Sequence, residues 1–287
     1  MTRAPRPDPV ALLHGVQRSL FIPLIVRAQA AAWFPALDPC DALASSLLAR
    51  SGASTKDYPT DAPTAINILW RTGRIKAIAR DFFASHASAQ GVNLGAGLTD
   101  YFQWLDNGHN HWLDVDLAPV VGLRRQLLRA ANARHTLQAD NLRQPGWWKR
   151  LHLQRQQAPL LLVCEGVLMY MQADEIQAFF DEIGRHAPAG TELVCDFISP
   201  LGIGQTIPAN RHADERTPFT WGAQHVQDMA RLHPRLQGLA EYSVAEAYGW
   251  CGCWLEALWR PLTGGPLYGL AHLRVTSAPA PARGHPR

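Results

Sequence analysis

The chain has 287 residues, 47% hydrophobic and 18% charged, and its 27 Lys+Arg against 24 Asp+Glu give a formal net charge of +3. That profile excludes a disordered, collagenous or disulfide-stapled protein and leaves room for one large α/β domain with additions. The weak, evenly spread charge offers no footprint for nucleic acid or an anionic membrane, so a small-molecule substrate is the expected partner and the oligomeric state is left open.

Residues 1–9 hold the stretch TRAPRPDP, rich in Pro and Arg without apolar periodicity, and are expected to form a disordered tail, as are residues 277–287. Residues 10–65 read as a helical cap interrupted at Pro23, Pro35 and Pro39. Its most apolar run, FIPLIV from Phe21 to Val26, falls far short of the roughly 20 residues that a membrane span requires, and no leader pattern precedes it. A cytoplasmic protein is therefore expected. The cysteines agree: five at irregular spacing, with Cys164 and Cys195 inside apolar runs, they read as reduced thiols. Cys251 and Cys253 form a C-x-C with no second ligand pair, so no metal is expected.

Residues 66–86 place apolar side chains at Ile68, Leu69, Ile75, Ile78, Phe82 and Phe83, the recurrence of a long amphipathic helix. Strand and helix then alternate. The strand GVNL ends in a glycine turn with a helix expected from about Thr99; HWLDVDL leads to a helix over 118–132; HTLQAD, PLLLVCEG and TELVCDFIS are further strands, the last two joined by the helix ADEIQAFFDEIGRHA. Nearly all-apolar strands alternating with helices predict a mostly parallel sheet covered on both faces. Residues 201–237 read as a lid or binding segment, followed by a short strand over 239–243, a helix over 244–262 and the final strand LYGLAHLRV.

In open parallel sheets ligands bind beyond the carboxyl ends of the strands, so the polar residues that end each strand are the site candidates. Gly95 and Gly97 permit a tight turn and a close approach of backbone to ligand, with the following helix aiming amide donors at it. A dinucleotide fingerprint asks for a third glycine where this chain has Asp100, a carboxylate expected to repel a pyrophosphate. Asp116, at the tip of the next strand, is placed either to accept from both hydroxyls of a ribose or to cap a helix, with Asp114 as a second acid on the same strand face. Asp140 is a candidate for an adenine amino group or a turn residue. Glu165 ends a buried strand, where a carboxylate requires a partner. A ligand with adenine, ribose and an amino-acid end but no phosphate is S-adenosylmethionine.

VNLGAGLTDYFQWL, WLDVDLAPVV, QADNLR and LLVCEGVLMYM, in that order and spacing, resemble the leucine carboxyl methyltransferase family, including its bacterial branch of tetracenomycin-type polyketide O-methyltransferases. The resemblance implies a Rossmann-like class I methyltransferase fold over 66–276: seven strands, mostly parallel with the last antiparallel, helices on both faces, and the cap and lid as additions. It implies S-adenosylmethionine as cofactor, with Arg71 at the methionine carboxylate, Gly95 and Gly97 at the turn, Asp116 at the ribose, Asp140 at the adenine edge and Glu165 near the methionine amino group. Arg71 suits a carboxylate because its planar fork pairs bidentately, and Arg74, one helical turn on, is the competing assignment. Family sequences usually read L-D-T-R where this chain has Leu98-Thr99-Asp100-Tyr101, and Asn141 replaces the acid or apolar residue that often follows the strand-three aspartate.

A sulfonium is an activated methyl donor, so the protein has mainly to align donor and acceptor and exclude water. A carboxylate acceptor needs no base, whereas a phenol or enol benefits from one. The candidates are Tyr170, just past the fourth strand, and His212, His225 and His233 in or beside the lid. Phe219 and Trp221 of TPFTWG supply an apolar wall, which favours an apolar or aromatic polyketide-like acceptor over the C-terminus of a protein or peptide. A Rossmann oxidoreductase and a non-catalytic cofactor-binding scaffold are the alternatives from other classes.

Overall fold

The computed structural model describes residues 13, 15–53, 55–128, 133–153, 158–206 and 217–277. Its seven strands are β1 (Gln90–Leu94), β2 (His111–Asp116), β3 (His135–Ala139), β4 (Leu160–Cys164), β5 (Glu192–Ile198), β6 (Leu236–Ser243) and β7 (Tyr268–Val275). They lie in the spatial order β3-β2-β1-β4-β5-β7-β6. The first five pair in parallel, and β7 runs antiparallel to both β5 and β6. This is the Rossmann-like methyltransferase architecture, mostly parallel with an antiparallel final strand.

Burial on both faces explains the unbroken apolar runs. Every residue of β4 and β5 is buried. Because side chains alternate along a strand, Leu160, Leu162 and Cys164 enter one core while Leu161 and Val163 enter the other. The ten α-helices among the described residues are α1 (Phe21–Ala28), α2 (Ala30–Trp33), α3 (Ala44–Ser51), α4 (Ala62–Ser85), α5 (Phe102–Leu105), α6 (Ala118–Leu127), α7 (Trp147–Arg150), α8 (Ala173–His186), α9 (Val226–Ala230) and α10 (Gly249–Thr263). On one face, α7 and α8 bring Trp147, Trp148, Phe179 and Phe180 onto the sheet, and on the other α4 supplies Ile75, Phe82 and Phe83. A third core joins α1 and α3 to the start of α4 and to Val120, Leu123 and Leu127 of α6.

Several boundaries differ from those expected, each for a local reason. Pro23 does not interrupt the N-terminal segment but sits in the first turn of α1, where its missing N–H has no partner to lose. The long helix α4 starts four residues early because Asp61 caps it, accepting from the Thr64 amide at 2.7 Å, with Pro63 in the first turn. The helix expected from Thr99 is a single turn, α5, since Thr99 N is spent in a turn to Ala96 O and Asp106-Asn107-Gly108 follows. α6 ends at Leu127, and 129–132 lie outside the described residues, as do 207–216 of the expected lid. The helix expected over 244–262 is a 3-10 turn, Val244–Tyr248, and then α10. β6 begins three residues earlier than expected and carries a register shift between Gly238 and Ala240. No helix is long and apolar enough to cross a membrane among the described residues.

Candidate active site

The strand order reverses between β1 and β4, and a cavity of about 1100 Å³ opens there beyond the carboxyl ends of the strands. Its floor is the glycine turn after β1. The Gly95 and Ala96 amides both donate to Val115 O, at 2.9 and 3.0 Å, which folds the turn back over β2. Gly95 has φ +80°, and a Cβ there would lie 2.3 Å from Val167 Cγ2, so no side chain fits. Gly97, at φ +50°, leaves room for a Cβ, which would meet Leu20 Cβ at 3.8 Å, and donates its amide to Asp116 Oδ2 at 2.7 Å.

Asp116 lines the cavity and is not the cap of α6, since Leu117 holds that position. Its Oδ1 accepts from the Leu117 amide and its Oδ2 from that of Gly97, each at 2.7 Å, so each oxygen keeps a lone pair for a further donor. Burial pushes its carboxyl up despite those two amide donors. Asp140, also on the wall, is gripped by Arg150, whose Nε and Nη2 reach Oδ1 at 3.1 and 2.7 Å and whose Nε reaches Oδ2 at 3.0 Å. Oδ2 is the less used of its two oxygens.

Arg71 of α4 crosses over the tips of β4 and β5. Its Nε donates to Glu165 Oε1 at 2.8 Å, and its Nη1 donates to Asp196 Oδ2 at 2.9 Å and to Tyr268 Oη at 2.7 Å. Nη2 has no hydrogen bond among the described residues and lies beside Gly166, where a Cβ would approach it to 3.1 Å. Glu165 Oε1 also accepts from Thr72 Oγ1 at 3.0 Å, and Oε2 accepts from Tyr101 Oη at 2.7 Å. Burial raises the Glu165 carboxyl, but Arg71, Arg27 and these hydrogen bonds outweigh it and hold the group below the usual range. Asp196 differs. Burial dominates, and although it accepts from Arg71, Tyr268 and the Gly166 amide, its carboxyl is pushed up. One guanidinium cannot fully compensate two enclosed carboxylates.

Sequence reasoning missed Asp196, Tyr268, Tyr101 and Thr72. The available cue for Asp196 was an acid inside the apolar run LVCDFI; the tyrosines, among many core aromatics, gave none. Arg74 points elsewhere and pairs with Glu246. Asp114 is also no part of the cavity: Arg124, His135, Trp112 and Asn93 surround it, and burial notwithstanding, Arg124 and His135 keep it ionised below the usual range. Asp100 does not face the cavity either. It groups with Asp114 and His135, ligand atoms within 4.8 Å of one another, and Arg124 pairs with Asp114 there. Its presence therefore bears on no bound phosphate, which corrects the expectation drawn from position 100.

The base candidates scatter. Tyr170 lines the cavity against Phe219, with ring centroids 5.4 Å apart, and burial pushes its phenol up so that it stays protonated at neutral pH. His225 turns to Glu241 of the edge strand β6 at 3.3 Å, and His233 packs against Gly184; neither lines the cavity. His212 lies outside the described residues. Phe219 belongs to the cavity wall, whereas Trp221 packs against the core between the sheet and α8.

The residues present fit an adenosyl amino acid. The cradle at Gly95 would be filled by any Cβ, Asp116 has two lone pairs to spare for a ribose, and the free edge of Arg71 suits a carboxylate. The comparisons agree in kind. A model of the leucine carboxyl methyltransferase family matches residues 14–184, more than half of the chain. The tetracenomycin polyketide synthesis O-methyltransferase TcmP of Streptomyces glaucescens is 22% identical over 208 residues, 72% of this chain and 75% of that protein. A putative methyltransferase from Thermobifida fusca superposes with a TM-score of 0.56 at 18% identity, covering 96% of this chain and all of the other. A duf574 family protein from Streptomyces avermitilis reaches 0.54 at 13% identity, over 88% of this chain and 97% of its own. With the sheet order, the glycine cradle and the family match in agreement, the chain belongs to the leucine carboxyl methyltransferase family and is a methyltransferase with S-adenosylmethionine as its cofactor.

Proposed function

We propose that this methyltransferase acts on oxygen, a hydroxyl or carboxyl of a small apolar or aromatic, polyketide-like acceptor. The observation that carries this is the wall of the cavity beyond the cofactor residues. Ile22, Ile68, Met169, Tyr170, Phe219 and Trp259 line it, and among the described residues its only basic side chains are Arg71 and Arg143. Arg71 is engaged by Glu165 and Asp196, and Arg143 donates to Tyr170 O at 2.6 Å. A peptide C-terminus would call for free cations in that half. Likeness to the polyketide O-methyltransferase TcmP supports the same acceptor class. Among the described residues, Leu20, Ile22 and Pro23 of the N-terminal segment and Gly202, Thr206 and Phe219 of the 201–237 segment line the cavity, where they would help to keep water out.

S-adenosylmethionine supplies a methyl group already activated on a sulfonium. Arg71 Nη2 would hold its carboxylate, Glu165 its amino group, Asp116 the ribose and Asp140 the adenine edge, with Gly95 and Gly97 letting the backbone close on it. What remains for the chain is positioning, which contributes several kcal/mol of barrier lowering where reacting atoms are held in line. Tyr170 is a donor or wall and not a base, because its raised phenol keeps its proton. This favours an acceptor that is already acidic.

The test has two arms. S-adenosylhomocysteine at about 100 times its dissociation constant should stabilise the fold by ~2.7 kcal/mol, while NAD leaves it unchanged. Labelled methyl groups transferred from S-adenosylmethionine to a cell extract should then appear in small, organic-extractable product. Label in protein would overturn the acceptor class, and release of label by mild base would assign an ester over an ether.

A further inference from the structure

α10 is apolar almost throughout, yet it buries a carboxylate. Glu256 is 7% exposed, while Trp250, Trp254, Leu258 and Leu262 on the same helix are open to solvent. Glu256 lines the cavity together with Tyr248, Gly252, Leu255 and Trp259. Its one hydrogen bond among the described residues comes from Ser243 Oγ, which donates to Oε1 at 2.7 Å while accepting from the Ala245 amide at 3.2 Å. The serine proton is thus committed to the carboxylate. Arg260, the other charge on α10, is taken by Glu241. A carboxylate has about four lone-pair sites, so Glu256, at the cavity wall, keeps most of its accepting capacity and has no ion pair among the described residues. Burial of this kind is unfavourable unless something supplies the missing donors.

The position is built. A Cβ on Gly252 would lie 2.3 Å from Ala245 O, so α10 packs directly on the 3-10 turn before it, and Glu256 follows one helical turn later. Ser243 ends β6 and pairs with Gly269, next to Tyr268 of the Arg71 network. The sheet order sets β6 three strands from β4, roughly 14 Å at the usual strand spacing, and on the side away from Asp116 and Asp140. Glu256 is therefore on the β6 side of the cavity, away from Asp116 and Asp140 and so from the adenosine end proposed for the cofactor.

Building on the O-methyltransferase function proposed above, we infer that Glu256, oriented by Ser243, is the specificity residue for the far end of the acceptor, and that an otherwise apolar acceptor carries there a hydrogen-bond donor, either a hydroxyl or a protonated amine. The donor completes the hydrogen bonding of Glu256, and frames lacking it leave the carboxylate buried and unsatisfied, a difference that discriminates strongly between substrates.

The experiment uses the full chain with S-adenosylhomocysteine present and reads quenching of tryptophan fluorescence. The probes are 2-hydroxyanthraquinone, 2,6-dihydroxyanthraquinone and 6-(aminomethyl)-2-hydroxyanthraquinone. At least one of the two probes with a distal donor should bind tenfold or more tightly than 2-hydroxyanthraquinone. Glu256→Ala should erase that preference with S-adenosylhomocysteine affinity unchanged and no fall in melting temperature. Glu256→Gln separates the sources: it should keep a preference for the hydroxyl and lose one for the ammonium. Equal or absent binding of all three probes to the unaltered chain, or a preference that survives Glu256→Ala, overturns the inference. Failure of S-adenosylhomocysteine itself to bind is a different result, and strikes the underlying function instead.

Discussion

Arg71 and Glu165, 94 positions apart in the chain, meet at 2.8 Å and tie the long helix α4 to the tip of β4. The pair is almost closed to solvent, with Asp196 directly behind it. Removing the arginine would strand two carboxylates in an enclosed site. Arg71→Ala should cost about 3–5 kcal/mol in urea unfolding, as expected when a buried ion pair loses one partner. Arg74→Ala should cost under about 1 kcal/mol, because its pair with Glu246 is over a third exposed on each side. Equal losses for the two would show that the Arg71 network does not carry the stability assigned to it.

The two glycines of the turn should separate in the same way. Gly95→Ala combines a positive φ with a contact that Val167 cannot easily relieve, so binding of S-adenosylhomocysteine should fall by more than tenfold. Gly97→Ala meets only the conformational cost, about 1–2 kcal/mol, since nothing crowds its Cβ. Calorimetric titration of both variants checks the order.

Asp116→Ala should remove the thermal shift produced by S-adenosylhomocysteine while the chain stays folded by circular dichroism. Its present partners are two backbone amides beside the cavity, which water can reach once the side chain is gone. A retained shift would return Asp116 to a purely structural role.

Asp100 gives a pH test independent of the cavity. Burial, with Asp114 adding to it, raises its carboxyl above the ordinary value, outweighing His135 and Arg124. A folded state that binds this proton more tightly than the unfolded one loses stability as pH rises from the unfolded pKa through the folded one. Asp100→Asn should therefore stabilise the protein at pH 7, and the gap should narrow as pH falls toward 4. Urea midpoints measured across that range decide it, and a gap independent of pH would count against the shift.

The class of fold was legible because it rests on local chemistry. Runs such as LLLVC and TELVCDFI are apolar on both faces only if helices cover both sides, and the glycine pair after the first strand marks a turn whatever surrounds it. The resemblance of the E-G-V-L-M-Y stretch and its neighbours added the family. What the sequence could not decide is which of several equivalent side chains reaches the cavity. Asp114 and Asp116 share one strand face, but Arg124 of α6 forms its ion pair with the first, and only the second lines the cavity. Arg71 and Arg74 are one turn apart, and only the docking of α4 against β4 and β5 turns the former inward. Asp196 and Tyr268 come together with Arg71 through docking of α4 and antiparallel pairing of β7, contacts made between segments 70 to almost 200 residues apart, while Glu256 enters with the return of α10, held by Ser243 13 positions before it. Local pattern determines burial and period; pairing between distant charges depends on how the packed elements are placed, and only the tertiary structure holds that information.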